Sequence, residues 1–329
     1  MTRILSYNIL VGGKRRVDQL TKIISAVQPD IVGLVEANNP RVLEEIAQRL
    51  GMQYRMSGSC TQANNWQNAL LSRLPIIETH VHNHADILTK PILEACIEEE
   101  DGRKLTIFIA HLTTAFYQFR GGDGQRQLEV QKILRIMASK RGTPHLLMGD
   151  FNAIAPGDRL KASALLRYLV KKDQQYRCNP HQDLGYPNLD SVVPRRLRFL
   201  YPFIETITHS KVLCALLDKV GSVYTSRGSI SMLRKAGYID CFRLKNPNVP
   251  GFTCPAASLA GRIDYIFASP ELAERLSASY VVTEGNGLRG DEASDHLPVV
   301  AEFGESAEVV NGPVHELATH SPVDLIDNI

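Results

Sequence analysis

The hydrophobic residues of this chain fall into short runs that end abruptly at a polar residue. Each run has the length and the apolar content of a buried β-strand. Ligand sites in α/β proteins lie at the carboxyl ends of strands, so the polar residues that follow these runs are candidates for a site. The runs cover positions 4–7, 31–35, 105–110 and 146–149, and they are followed by Asn8, Glu36, His111 and Asp150.

Helical patterns separate these strands along the chain. The stretches 17–27, 41–50 and 125–138 carry apolar residues at a spacing of about 3.6. Alternating strands and helices predict an α/β protein in which helices cover the sheets. Two later runs extend the pattern: 262–268 predicts a strand that carries Asp264, and Asp295 and His296 precede a strand at 297–303.

The alternation stops between about 157 and 250, where helical stretches surround an irregular centre. We interpret this segment as a long insertion within one domain that covers residues 1–304. Residues 305–329 contain acidic side chains and neither Lys nor Arg, so we predict a disordered acidic tail.

Composition places few limits on function. The formal net charge of +2 neither demands nor excludes a polyanionic partner. The six cysteines include no C-x-x-C pair, so no zinc site or disulfide framework is predicted. The sequence shows no secretory signal and no apolar run that is long enough to span a bilayer, so we expect a cytoplasmic protein without a transmembrane segment. The oligomeric state stays open.

The motif Gly149-Asp150-Phe151-Asn152 follows a buried-type strand. Alternation along the strand places Asp150 and Asn152 on the same side. A carboxylate beside an amide can position a water molecule and hold a phosphoryl oxygen. The same residue types are also common in simple turns.

Glu36 and His296 offer complementary chemistry. A carboxylate at the end of an apolar strand is expected to be paired or metal-bound, and Mg²⁺ prefers carboxylates, waters and phosphate oxygens. Taken alone, a glutamate at this position is more often the start of a helix. His296 at the mouth of a strand can act as a base if a carboxylate such as Asp264 orients it, although a lone histidine there is often merely solvated.

The ordered motifs resemble those of the endonuclease/exonuclease/phosphatase superfamily, to which deoxyribonuclease I, exonuclease III and the neutral sphingomyelinases belong. The resemblance runs from Ile4 to Phe303, apart from the insertion. The matching motifs are Ser6-Tyr7-Asn8, Glu36, Ala110-His111-Leu112, Gly149-Asp150-Phe151-Asn152, Arg262-Ile263-Asp264-Tyr265 and Ser294-Asp295-His296-Leu297-Pro298.

The resemblance implies a deoxyribonuclease I-like four-layer α/β/β/α sandwich of two mixed β-sheets, and a Mg²⁺-dependent phosphoesterase that accepts Mn²⁺ as a substitute. The implied metal site consists of Glu36 as main ligand, with Asn8 and Asp295 close to the ion. The implied catalytic residues are Asp150 for the attacking water, Asn152 for a phosphate oxygen, His296 as base with Asp264 as its partner, and His111 as a second histidine with Glu94 as its partner.

The substrate class rests on the insertion. Between Arg159 and Lys211 there are ten Lys or Arg residues against four Asp or Glu. Arg195, Arg196 and Arg198 adjoin aromatic residues, an arrangement that suits a nucleic-acid backbone with stacked bases. It also suits an anionic phospholipid surface, or a solvated helix face without any partner. Two further residues, Trp66 and Asn68, are candidates for the rim of the same cleft, although a buried Trp is equally plausible.

We therefore expect a phosphodiesterase or nuclease that hydrolyses nucleic acid. The alternative is a sphingomyelinase-like or phosphoinositide-directed lipid phosphoesterase, and a non-catalytic binding module is disfavoured because the catalytic set is complete. Leu10 stands where the exonuclease III and abasic-site branch usually has an acidic or amide residue. The tryptophan-containing signatures of inositol polyphosphate 5-phosphatases are absent from the sequence.

Overall fold

The computed structural model describes residues 1–59, 65–114, 122–178, 198–199 and 201–304. Numbered in chain order, the strands are β1 (Thr2–Asn8), β2 (Ile31–Val35), β3 (Gln53–Met56), β4 (Asn68–Ser72), β5 (Ile76–His82), β6 (Ile92–Glu98), β7 (Lys104–His111), β8 (His145–Asp150), β9 (Ile239–Asp240), β10 (Asp264–Ala268), β11 (Leu276–Val281), β12 (Glu284–Gly285), β13 (Leu288–Arg289) and β14 (Val299–Phe303).

Numbered in the same way, the helices are α1 (Val17–Val27), α2 (Pro40–Leu50), α3 (Gly122–Met137), α4 (Ala162–Cys178), α5 (Tyr201–His209), α6 (Lys211–Tyr224), α7 (Gly228–Lys235), α8 (Cys241–Lys245), α9 (Pro270–Ala273) and α10 (Gly290–Ala293). Among the described residues, none of these helices combines the length and the apolar character that crossing a bilayer requires.

Two six-stranded mixed sheets form the centre of the molecule. The first has the order β11-β14-β1-β2-β4-β3, and the second has the order β5-β6-β7-β8-β10-β9. Strand β1 runs parallel to β2 and antiparallel to β14, while β7 runs parallel to β8 and β8 antiparallel to β10. Strands β12 and β13 form a separate hairpin.

The sheets pack face to face over an apolar core. Buried residues such as Ile4 and Leu70 from the first sheet meet Ile107 and Met148 from the second. Because both faces of the central strands are buried, their sequences are apolar throughout and lack the alternation of a half-exposed strand.

Helices cover the two outer faces. On the first sheet, α1 and α2 bury a stripe that includes Leu20 and Ile46. On the second sheet, α3 and α7 bury a stripe that includes Ile133 and Leu233. The predicted four-layer α/β/β/α sandwich is thereby confirmed.

Helix α2 shows how the local sequence sets the limits of an outer helix. The side chain of Asn39 accepts a hydrogen bond from the Val42 amide, and Pro40 occupies the first helical position. At the other end, Gly51 has φ of 64° and stops the helix in the left-handed conformation. These residues place the chain that follows β2, and with it Glu36, at a defined edge of the sheet.

The segment predicted as an insertion divides into two parts. Helices α4 and α5 pack on each other through Tyr168 and Ile204, outside the sandwich. In contrast, Ile230 of α7 lies in the outer layer, and Asp240 of β9 pairs with Phe267 at the edge of the second sheet. The part that lies outside the sandwich therefore ends before residue 228, earlier than the predicted boundary at 250. The predicted tail at 305–329 lies outside the described residues.

Candidate active site

The polar residues that end the central strands meet at one edge of the two sheets. In the first sheet, Asn8 pairs in register with Val35, the residue immediately before Glu36. In the second sheet, Asp150 lies between His111 of β7 and Asp264 of β10, each directly opposite it. The fold therefore brings together side chains that are more than two hundred and fifty residues apart in the case of Asn8 and Asp264.

Gly149 gives Asp150 its position. Its φ is +139°, and a Cβ atom at this residue would lie 1.9 Å from the carbonyl oxygen of Ala110. Only glycine lets β8 approach β7 so closely at this point. Beyond it, the Asn152 amide donates to Asp150 Oδ1 at 2.9 Å, so the turn fixes the carboxylate.

His296 and Asp264 form a buried pair. The Nδ1 atom of His296 donates to Asp264 Oδ2 at 2.9 Å and is 3.1 Å from Oδ1. Its Nε2 atom therefore faces the other way and lies 3.8 Å from Asp150 Oδ2. Asp150, Asp264 and His296 each offer one nitrogen or oxygen atom within 4.8 Å of the others.

Asn8 links Glu36, which follows β2 of the first sheet, to Asp150 of the second sheet. The Nδ2 atom of Asn8 donates to Glu36 Oε1 and to Asp150 Oδ2, at 3.1 Å in each case. Glu36 Oε2 also accepts from the amide of Val11 at 2.7 Å. Glu36 has φ of +60°, an unfavourable backbone conformation for a non-glycine residue that is held here by these bonds.

The donor atoms fit a divalent cation. Glu36, Asp150 and Asp264 concentrate carboxylates at a buried edge, and Asp295 stands next to them. Burial raises the pKa of Glu36 above its ordinary value and Asp295 raises it further, while hydrogen bonds from Val11 and Asn8 oppose both effects. A cluster of buried carboxylates is unfavourable without a compensating cation, and oxygen donors suit hard divalent ions.

The pKa values of the Asp150 and His296 pair are both displaced upward. Burial raises the pKa of Asp150, and Asp264 adds to the rise although His296 opposes it. Burial alone would lower the pKa of His296, but the negative charges of Asp264, Asp150 and Asp295 and the neighbouring Cys254 outweigh burial and raise it well above the ordinary value. The two groups are thus electrostatically linked across the cleft.

His111 lies beside Asp150 but not beside Glu94. Its Nε2 atom is 3.6 Å from Asp150 Oδ2, and the ring of Trp66 meets its ring edge-on with centroids 6.0 Å apart. Glu94 instead binds His82 Nε2 at 2.7 Å and Lys140 Nζ at 3.0 Å. The expected Glu94–His111 pair is therefore not formed, because Glu94 faces the outer side of β6 and its neighbour there comes from the edge strand β5.

The candidate substrate residues have different positions. Trp66 is half-buried against His111 at the cleft. Asn68 is buried, and its side-chain amide donates to the carbonyl oxygens of Pro91 and Ile109. It therefore joins β4 of the first sheet to β7 of the second. Arg198 is half-buried, whereas Arg195 and Arg196 lie outside the described residues.

Two charged residues at the site were missed by the sequence patterns. Lys90 is 9% exposed, and its Nζ atom donates to the carbonyl oxygen of Leu112 at 2.9 Å. Glu129 of α3 is 1% exposed and accepts bonds from Thr89 and Thr113. Because a lysine before a strand and a glutamate on a helix normally face solvent, neither pattern indicated a role. The only local signal was Pro91, which fixes the chain next to Lys90.

A buried ion-pair network supports the strand that carries Asp264. Arg262 is 1% exposed, binds Asp240 with two nitrogens at 2.8 and 2.6 Å, and binds Asp158 at 2.7 Å. The guanidinium also lies over the ring of Tyr265, 4.4 Å from its centroid. This network ties the start of the insertion to β10, two residues before Asp264.

Helix α4 of the insertion lies near the same edge. Burial lowers the pKa of Lys172, whereas the negative charges of Asp295 and Asp291 oppose that change. The Ala256 amide donates to the Asp295 carbonyl oxygen. Two residues later, the Ser258 hydroxyl donates to the Ala164 carbonyl oxygen of α4 at 3.0 Å. A basic helix therefore stands close to the Asp295 side of the site.

Comparison with known proteins gives a consistent picture. A family model described as Endonuclease/Exonuclease/phosphatase family matches residues 5–296. No curated protein sequence matches the chain.

Several solved structures share the fold at low sequence identity. An AP endonuclease from Archaeoglobus fulgidus is 16% identical with a TM-score of 0.62, and the match covers 92% of this chain and 99% of that one. A 3′ phosphatase from Neisseria bound to a product DNA hairpin is 18% identical with a TM-score of 0.59, covering 93% and 100%. A humanized D. rerio TDP2 is 14% identical with a TM-score of 0.55, covering 92% and 99%.

Proposed function

Because the chain belongs to the endonuclease/exonuclease/phosphatase family, whose members hydrolyse phosphate esters, we propose that it is a Mg²⁺-dependent phosphodiesterase that cleaves nucleic acid. One observation carries the proposal. The Asp264–His296 pair presents Nε2 toward Asp150, and Asp150 shares the Asn8 amide with Glu36. A proton-transfer group and a candidate cation site thus adjoin each other.

Glu36 would hold the ion as main ligand, with Asn8 and Asp295 close by. A bound Mg²⁺ neutralises phosphate charge and stabilises the leaving oxygen, and Mn²⁺ offers similar oxygen-directed chemistry. Position within the cluster favours Glu36 over Asp264, because the Asp264 carboxylate is already engaged by His296.

The protein groups do the remaining work of hydrolysis. Asp150 orients the attacking water in line with the leaving oxygen. In its neutral form His296 accepts the water proton at Nε2, since Asp264 holds the proton on Nδ1 and leaves Nε2 directed at Asp150. Asn152 holds a non-bridging phosphate oxygen. His111 lies on the β7 side of Asp150, with its Nε2 atom 3.6 Å from Asp150 Oδ2.

The basic insertion supports nucleic acid as the substrate. Its helix α4 accepts a hydrogen bond from Ser258, two residues after the Ala256 amide that binds the Asp295 carbonyl oxygen. Lys172 of this helix feels the charge of Asp295, and cationic side chains beside a phosphodiester site bind the backbone by counterion release. Trp66 offers an aromatic face or edge next to His111 on which a base can stack. The AP endonuclease and the DNA-bound phosphatase named above are similar in fold and are consistent with this choice.

An anionic phospholipid is the second candidate, and a specific observation favours it. Helix α6 exposes an apolar stripe in which Val212 is 78% exposed, Leu216 57% and Val223 73%, with Lys211 and Lys219 also exposed. An apolar stripe with flanking lysines suits a membrane surface.

A direct comparison of substrates tests the proposal. Purified protein is incubated with Mg²⁺ and labelled single- and double-stranded DNA, RNA, or vesicles that contain sphingomyelin or phosphoinositide. We expect nucleic-acid cleavage that Glu36→Gln abolishes and that Glu45→Gln, an exposed glutamate on α2, leaves intact. Intact nucleic acids together with cleaved lipid headgroups would contradict the proposal and establish the second candidate.

A further inference from the structure

Lys90 is a buried cation at the site that the catalytic scheme above does not use. Its Nζ atom donates to the Leu112 carbonyl oxygen at 2.9 Å. The same oxygen accepts from Asn152 Nδ2 at 3.0 Å. The ammonium of Lys90 and the amide of Asn152 are therefore neighbours that share one acceptor.

The ammonium of Lys90 makes no ion pair with any carboxylate in the part of the chain that the structure describes. Burial lowers its pKa, and the more distant charges of Asp150, Glu129 and Glu36 counter that effect. An ammonium has three N–H donors, and the Leu112 carbonyl uses one of them. A buried cation with a single neutral partner is unfavourable by itself, but it is a ready site for an anion.

A second buried polar side chain stands close to Lys90. His111 is 6% exposed, and its Nδ1 atom has no hydrogen-bond partner among the described residues. Lys90 Nζ donates to the carbonyl oxygen of Leu112, the residue after His111. Burial lowers the pKa of His111, and the charge of Lys90 lowers it further.

Glu129 fixes the residue before Lys90 to the loop that follows His111. Its Oε1 atom accepts from Thr89 Oγ1 at 2.8 Å and from the Thr89 amide at 3.2 Å. Glu129 also accepts two bonds from Thr113: the amide donates to Oε2 at 2.9 Å, and Oγ1 donates to Oε1 at 2.7 Å. This four-bond clamp joins the loop of Lys90 to the loop that follows His111, so the ammonium is fixed before substrate arrives.

We propose that Lys90 binds a non-bridging oxygen of the substrate phosphate, next to the oxygen-binding amide of Asn152. The proposal rests on the proposed function, because it assigns Lys90 to the same phosphate. The cation gains its missing counterion from the substrate, and it stabilises the charge that develops as the leaving oxygen departs. Lys90 thus provides a positive charge for phosphate binding in addition to that of the metal ion.

Binding of inorganic phosphate tests this without any need for turnover. Isothermal titration calorimetry with Mg²⁺ present compares the wild type with Lys90→Met and with Lys90→Gln, which can still donate to Leu112. Lys140→Met is the matched control, because Lys140 binds Glu94 on the outer face. We expect both Lys90 variants to bind phosphate about 10- to 100-fold more weakly, the range for one charge-assisted hydrogen bond, and the control to bind like the wild type.

Thermal unfolding of the same variants separates this role from a structural one. Removal of an unpaired buried cation should leave the melting temperature unchanged or raise it. Wild-type phosphate affinity in a folded Lys90→Gln protein would overturn the proposal, as would the absence of phosphate binding by the wild type. If phosphate binding depends on Lys90 but the wild type cleaves no phosphodiester, the proposed function fails and the Lys90 assignment stands.

Discussion

Asp150 and Asp264 lie directly opposite each other on the antiparallel strands β8 and β10. His296 bridges them, with Nδ1 on Asp264 and Nε2 facing Asp150. Strand register therefore sets the position of Asp264, which holds the histidine, relative to Asp150, which we propose orients the attacking water.

Replacement of Asp264 by Asn should impair catalysis with little change in fold. Asparagine keeps the shape but not the charge that holds the Nδ1 proton of His296, so the histidine loses its preferred tautomer. We expect kcat/KM for a phosphodiester to fall about 10²- to 10⁴-fold. The exposed Asp101→Asn variant is the control, and near wild-type rates in Asp264→Asn would disprove the role given to this pair.

Replacement of Gly149 by Ala should destabilise the sheet. The added Cβ would meet the Ala110 carbonyl at 1.9 Å, in addition to the cost of positive φ. Gly102 is the matched control, because it also has positive φ but nothing within 4 Å of an added Cβ. Urea unfolding should show a loss of about 1 kcal/mol for Gly102→Ala and about 3 kcal/mol for Gly149→Ala. Equal losses would mean that the close approach of β7 and β8 is not as described.

The Arg262 network should be important for stability. Arg262→Met leaves the buried carboxylate of Asp240 without its two-nitrogen partner, and a broken buried pair costs about 3–5 kcal/mol. Adding Asp240→Asn should recover part of the loss, since the uncompensated charge is then removed. The exposed Arg289→Met change should cost at most about 1 kcal/mol. A loss that small for Arg262→Met, measured by urea unfolding, would contradict the network.

Glu99 binds Arg275 and Thr2 at the end of the sandwich opposite the site, and we call these three residues the clasp. Acid should weaken the clasp. Burial alone would raise the pKa of Glu99, but hydrogen bonds from Arg275 and Thr2 outweigh burial and lower it. A carboxyl whose pKa is lower in the folded protein stabilises the fold above its unfolded pKa of about 4.3, and this contribution disappears as pH falls through the folded value.

The clasp is tested with Glu99→Gln. The free energy of unfolding of this variant should be below that of the wild type at about pH 7, and the difference should shrink as the pH is lowered through the acid range. A difference that is independent of pH would show that the charge of Glu99 is not what stabilises the clasp.

The alternation of apolar runs and helical patterns predicted an α/β protein, and the family resemblance implied its four-layer form. The polar residues at the strand ends were the predicted site, and the structure gathers them at one edge of the sheets. Buried strands produce uninterrupted apolar runs, so the residues that end them, such as Asn8, Glu36 and Asp150, are visible as breaks in the pattern. The loop between β5 and β6, which carries Lys90, gives no such break. Lys90 follows no apolar run, and only the folded chain shows that its Nζ atom is buried beside Leu112.

The pairing of Glu94 shows a different limit. The register of β5 against β6 places His80 directly opposite Glu94, yet Glu94 binds His82, which lies diagonally across from it, and the register has an irregularity between Ile76 and Glu78. A shift of register changes which side chains are neighbours across strands, and one sequence does not reveal it. Residues between 228 and 250 contribute α7 and β9 to the sandwich, and β9 is only two residues long, so the sequence gives no recognisable strand pattern there.

Hydrolysis of bis(p-nitrophenyl) phosphate tests the central claim most directly. The wild type is stripped of metal with a chelator, assayed, and assayed again after Mg²⁺ or Mn²⁺ is added, beside Glu36→Gln and His296→Gln. We predict activity that requires the added ion and that falls about 10²-fold or more in both variants. Diester hydrolysis that persists without the ion, or that survives in both variants, would contradict a metal-dependent phosphodiesterase site at this edge of the sandwich.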